Sequence, residues 1–235
     1  MYVAADERSE WLSFGLALVG GYGDTAGFVI AKTFTGHVTG SLVLATVGAA
    51  AHDWGAALGH ASAVVVFLAG IPLSVLLDRA LAAWSSWRLL PTVMGIEVIL
   101  IVAAYWASAS QAAFGTEAFV ACMSLALGLQ NGAFRRTGGI SVHTTYLTGT
   151  ITSLIGMRME RQVSPPIRIA AATTEAKVRM LCGIWVAFVV GGGTGAAMVL
   201  RFGKVGILGV ALLLLAVMLG NSIVSGRTLS KTERQ

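Results

Sequence analysis

Charge is what this chain has least of. Asp, Glu, Lys and Arg make up 11% of its 235 residues, against about a quarter in a soluble domain. Hydrophobic residues make up 56% and the mean hydropathy is +0.78, which excludes an ordinary water-soluble globule. Cysteine is nearly absent. Cys122 and Cys182 both lie inside apolar runs, so neither a disulfide framework nor a cysteine-based metal site is expected. HExxH, GxSxG and P-loop motifs are missing, as is any pair of Asp residues in matching apolar runs. With them goes the sequence case for an enzyme, a metal or a cofactor. No stretch alternates apolar and polar residues over about ten positions, which argues against a membrane β-barrel. The N-terminal "MYVAADERSE" carries acids where a cleavable signal peptide would be basic, so the first apolar run is expected to stay in the mature protein.

What the chain does have is long apolar runs. Eight can be drawn: 11–31, 38–51, 54–77, 89–107, 114–134, 147–157, 180–200 and 205–223. Six approach the roughly 20 residues that a helix needs to cross ~30 Å of hydrocarbon. Runs 38–51 and 147–157 are too short. Both begin at a Thr-Gly pair, in "TGHVTGS" (35–41) and "TTYLTGT" (144–150), and upstream of them "GYGD" (21–24) stands against "GLQN" (128–131). The order of features repeats, so the expected fold is an all-α integral membrane protein. It has about six transmembrane helices, two short Thr-Gly half-helix segments and two internal repeats. Unit 1–110 holds spans 11–31, 54–77 and 89–107 with short segment 38–51. Unit 111–235 holds spans 114–134, 180–200 and 205–223 with short segment 147–157.

Charge sets the topology. If all eight runs cross, the 16 Lys and Arg split 9 to 7 between the two sides, and no orientation follows. If neither short segment crosses, the split is 13 to 3, with only Lys32, Arg201 and Lys204 on the poor side. The rich side is then cytoplasmic and holds both termini. A rival in which only 38–51 crosses scores the same, with the N-terminus outside. The repeat favours six crossings, because it treats the two short segments alike. Three crossings per unit invert the second unit relative to the first. The net charge of +5 sits in short clusters flanking the spans, which reads as orientation signals and not as a nucleic-acid surface.

The polar residues inside this apolar sequence are the candidate site. Irregular backbone at membrane depth must be buried in protein or line a cavity, since unpaired amides in hydrocarbon cost several kcal/mol each. Thr39-Gly40 and Thr148-Gly149 each precede a short apolar helix. The Thr reads as an N-cap and the Gly as a place of close approach, with the positive end of a helix dipole aimed at the centre. Small residues that let helices pack closely are the structural alternative. Asp24 and its counterpart Asn131 join these as substrate-binding candidates; Asp24 could equally cap a broken helix. Asp24, Glu97 and His37 are the proton-coupling candidates, because an acid inside a span is costly unless used or paired and His titrates near neutrality. His143 lies nearby but does not align with His37. Arg135 and Arg136 follow a span directly and read as anchors. The "GGGTG" run at 191–195 reads as a close helix crossing.

"GYGDTAGFV" followed by "FTGHVTGSLV", and "GLQNGAFRRTGG" followed by "VHTTYLTGTITSL", resemble the YoaK-like family of bacterial membrane proteins over nearly the whole chain. Ser41 stands where that family usually has Asn. The resemblance implies a multi-pass protein of the bacterial inner membrane, grouped with transporters that have no assigned substrate. The expectation is therefore a transporter or channel for a small solute or ion, anionic or electron-rich. Lipid would surround it, no nucleic acid would bind, and homo-oligomerisation is left open. A non-catalytic membrane partner protein is the second reading. An intramembrane enzyme using Asp24 and His37 is the third.

Overall fold

The computed structural model describes residues 7–82, 89–110, 112–134, 136–137, 140–141, 155, 159 and 168–232. The helices are α1 (Glu7–Ala31), α2 (Val38–Ala50), α3 (Trp54–Ala82), α4 (Leu89–Ala109), α5 (Gly115–Ala133), α6 (Arg168–Phe202) and α7 (Leu208–Thr232), with a 3-10 turn at Gly203–Ile207 between the last two. Strands β1 (Arg136–Thr137) and β2 (Ile140–Ser141) pair antiparallel after α5. The short run at 147–157, with Thr148 and Gly149, lies outside the described residues apart from Ile155.

Four helical stretches are long and apolar enough to cross a membrane: Glu10–Ala31, Trp54–Leu81, Leu90–Ala109 and Val178–Asn221. The last is 44 residues long and reverses at the 3-10 turn, giving α6 and α7. Helix α5 has 19 residues, about 28 Å at 1.5 Å per residue, yet it is not among the four because it carries Glu117, Gln130 and Asn131. Its residues from Ala126 to Gly132 are all buried. A helix that meets protein instead of lipid can be this polar. The outer surface is the reverse, with Leu58, Val65, Trp106, Leu200 and Leu212 all exposed. Apolar residues outside and Asp24, Glu97, Ser124 and Gln130 inside is the distribution of a membrane protein.

Close contacts fix the direction of each helix. A Cβ built on Gly21 would overlap the Phe188 carbonyl, one on Gly191 the Leu18 carbonyl, and one on Gly195 would reach Tyr22 O at 2.5 Å. The offset between the two chains stays nearly constant, so α1 and α6 run parallel. The "GGGTG" run is the close crossing expected of it. Helices α3 and α5 repeat the device. A Cβ on Gly128 would overlap the Phe67 carbonyl, and one on Gly132 would lie 2.9 Å from Ile71, so these two also run parallel.

Helices α1 and α5 run opposite. Gln130 Nε2 donates to Leu16 O at 3.1 Å, while Gly23 faces Met123 and Leu127. Helix α7 also runs against α1, with Trp11 by Gly220 and Gly15 by Val217, so the chain's last helix ends where its first begins. At the other end, the Lys204 ammonium donates to Ser108 O and ties the 3-10 turn to the last turn of α4. Cations are favoured there by the helix dipole. Helix α1 is the centre of the bundle: 56% of its span is buried, against 28% for α3 and for α4. Leu16, Val19, Tyr22, Phe119, Met123 and Leu214 make its core.

Candidate functional site

The site begins where α1 stops. Lys32 has φ +56°, a left-handed turn that ends the helix and sends the chain back along it. Segment 32–37 descends until the backbone N–H groups of Thr35 and Gly36 donate to Asp24 Oδ1, at 2.8 and 2.7 Å. Asp24 lies seven residues before the end of α1, about 10 Å inside the bundle. The other carboxylate oxygen faces His37 Nδ1 at 3.8 Å. Asp24 is thus the acceptor that lets irregular backbone sit at this depth. The need is strict, because a buried amide without an acceptor costs about 1–3 kcal/mol.

The loop is held from its other side as well. Ser41 Oγ donates to Phe34 O at 2.8 Å, and Thr33 Oγ1 meets His60 Nδ1 of α3 at 3.0 Å. Phe34 stacks on Phe28 with ring centroids 4.4 Å apart and lies against His37 at 5.6 Å. Helix α2 follows. Its N-cap position is His37, with no side-chain capping bond. Thr39 lies in the first turn, exposed, and is not the cap. A Cβ on Gly40 would lie 2.9 Å from the Phe34 ring, so the close approach this glycine allows is that of the loop's own aromatic. With 13 residues, α2 is about 20 Å long. A tight reversal follows, with His52 at φ +58° and Asp53 Oδ1 accepting the Ala56 N–H at the start of α3.

Glu97 is elsewhere, on the buried stripe of α4 with Met94, Ile101 and Ala104. It is fully buried, and among the described residues neither carboxyl oxygen has a hydrogen-bond partner. Ser124 Oγ on α5 and Thr35 Oγ1 are likewise buried without one.

A family described as "Protein of unknown function (DUF1275)" matches residues 12–220, from the first turns of α1 to the middle of α7. The chain belongs to the DUF1275 family. No curated protein matches it, and no solved structure does.

In this DUF1275 protein, then, the fold brings Asp24, His37 and Gly40 together around one loop and leaves Glu97 apart on another interface. Asn131 is buried on α5 with its Nδ2 donating to Leu127 O of its own helix at 2.9 Å. Among the described residues no group of three or more His, Cys, Asp or Glu is placed to hold a metal ion. The sequence reading missed Thr33, His60 and Ser124. Only His60 carried a signal, a titratable side chain inside an apolar span. It also missed that the Phe67 carbonyl of α3 faces Gly128 of α5 as the Phe188 carbonyl of α6 faces Gly21 of α1.

Proposed function

We propose that this DUF1275 protein is a transporter or channel for a small solute, anionic or electron-rich, with its site near the bilayer midplane between two inverted halves, 1–110 and 111–235. The observation that carries the reading is the 32–37 loop: non-helical backbone held inside the bundle at the depth of Asp24, which a membrane protein tolerates only where it is buried in protein or lines a cavity. The Thr33–His60 bond joins the end of α1 to the start of α3. This supports an α2 that returns to the side it came from, and hence six crossings.

Helix directions support the inversion. The first, second and third long helices of one half, α1, α3 and α4, run opposite to α5, α6 and α7 in the other. The crossings agree, since Gly21 meets Phe188 as Gly128 meets Phe67, and Gly21 and Gly128 are the first residues of the repeated signatures. On this reading the solute is bounded by the Asp24 loop with Thr39 and Gly40 in one half, and by Asn131, Thr148 and Gly149 in the other. Free N–H groups at the start of α2 would favour an electron-rich guest. The YoaK-like signatures at 128–131 and 144–150 and the 13 to 3 charge bias support the bacterial inner membrane with a cytoplasmic C-terminus.

The test is uptake into proteoliposomes from a panel of small anions and neutral polar solutes, beside a reporter active only outside the cell fused at each terminus. Saturable uptake that falls with His37→Ala supports the reading. An externally active N-terminal fusion with a cytoplasmic C-terminus removes the inverted repeat. A second reading is a membrane partner protein, in which the polar residues serve only to satisfy each other, as Asp24 does for the N–H groups of Thr35 and Gly36. No uptake of any solute, with one protein co-purifying stoichiometrically, would favour it. The Asp24–His37 pair is also what an intramembrane enzyme would need, and product formed without transport would single that out.

A further inference from the structure

Glu97 is the feature that the solute site leaves unused. The buried stripe of α4 runs through Met94, Glu97, Ile101, Ala104 and Ser108, spaced three or four residues apart as one helix face requires. A position that needed only volume would hold Leu or Met. A carboxylate in the membrane interior costs about 3 kcal/mol or more unless paired or hydrated, yet neither Glu97 oxygen has a partner among the described residues.

The groups that could pair with it are accounted for on every helix packed against α4. On α5, Glu117 is exposed near the helix start and Cys122 is half-buried. On the 3-10 turn, Lys204 is bonded to Ser108 O. On α3, His60 is bonded to Thr33, and Asp78 and Arg79 are exposed. The side chains of α7 described up to Asn221 include none that titrates. One neutral polar group lies at similar depth. Glu97 is twelve residues before the end of α4 and Ser124 nine residues after the start of α5. Across the short antiparallel connection that is ~18 and ~13 Å from the turn, about one helical turn apart, and Ser124 Oγ is buried and unpartnered.

We infer that Glu97 is the group in this protein that binds and releases a proton, and that Asp24 is a fixed structural carboxylate. The inference deepens the transport reading by naming its coupling ion, and it rests on that reading only for the coupling. Asp24 is committed on both oxygens, to two N–H groups and to His37, so a proton on it would cost the ion pair and the charge assistance to those N–H groups. Glu97 has no such bonds to lose among the described residues. In the bound form it is a neutral acid in an apolar site. On release the O–H bond breaks, the electron pair stays on the carboxylate, and the proton passes to a water molecule admitted when α4 and α5 part. Rebinding reverses the step.

The experiment is infrared spectroscopy of the purified full chain in lipid nanodiscs at neutral pH, read at the C=O stretch of a protonated carboxyl. The expected result is a band that is lost in Glu97→Gln, moves in Glu97→Asp, persists in Asp24→Asn and shifts in D2O within minutes as its proton exchanges. The Glu97→Asp and wild-type spectra keep the test sound should Glu97→Gln fail to fold. Absence of the band, its loss in Asp24→Asn but not in the Glu97 variants, or no shift after hours in D2O would each overturn the inference. None of these readouts needs a transported solute, so failed uptake would count against the transport reading alone.

Discussion

Asp24 and Glu97 are the two carboxyls buried within the described residues, and they solve opposite problems. Asp24 lies beside a broken stretch of backbone and takes up its N–H groups. Glu97 lies on an unbroken helix, where every backbone group has its partner and nothing nearby asks for an acceptor. An acid inside a membrane bundle is therefore not one kind of evidence. Where backbone is irregular the acid answers a structural need, and where backbone is regular the acid itself is the anomaly that calls for a function.

Four substitutions test this contrast, in falling order of effect. Asp24→Ala strands the N–H groups of Thr35 and Gly36, and at about 1–3 kcal/mol for each buried orphan it should cost roughly 3–5 kcal/mol, seen as a large drop in the thermal unfolding temperature in detergent. Asp24→Asn keeps an oxygen that can accept both N–H groups and loses the charge assistance. A cost of about 1–2 kcal/mol is expected, and a loss as large as that of the Ala variant would mean that the charge, not the acceptor, holds the loop. Thr33→Val removes the bond to His60 and should cost about 1 kcal/mol; protease accessibility of the loop should rise with it. Glu97→Gln, an isostere that breaks no hydrogen bond among the described residues, should stay within about 1 kcal/mol of the parent. A strong destabilisation would reveal a partner for Glu97 and erase the distinction between the two acids.

Much of the helical plan was legible, because a long apolar run marks a helix that lies within the apolar layer, whether it meets lipid or protein. Run 38–51 corresponds to α2 at Val38–Ala50, and 114–134 to α5 at Gly115–Ala133. The ends were less legible where a helix leaves the apolar layer. Run 180–200 became α6 at Arg168–Phe202, since a helix outside hydrocarbon no longer needs apolar residues. At the site, the sequence marked Asp24 as out of place and offered helix capping as one explanation. Its actual partners are loop amides eleven and twelve residues on, set by a left-handed turn at a lysine that no spacing rule announces. Thr39 looked like a cap because Thr before Gly and an apolar run is common at helix starts. The helix begins one residue earlier, at Val38, once Phe34 and His37 have packed the loop.

The two glycine crossings differ in one respect that bears on how the protein is made. Gly128 meets Phe67 after 61 residues of chain, whereas Gly191 meets Leu18 only after 173. At roughly 5–20 residues per second, a ribosome needs on the order of 10–30 s to supply α6 once α1 has left it. For that interval the small-residue face of α1 has no parallel helix to close it, while α3 and α5 can already be joined. A chain stopped after α5 would hold α1 in the same state for good. Of the described helices, α1 is made first and is among the last to have its packing completed.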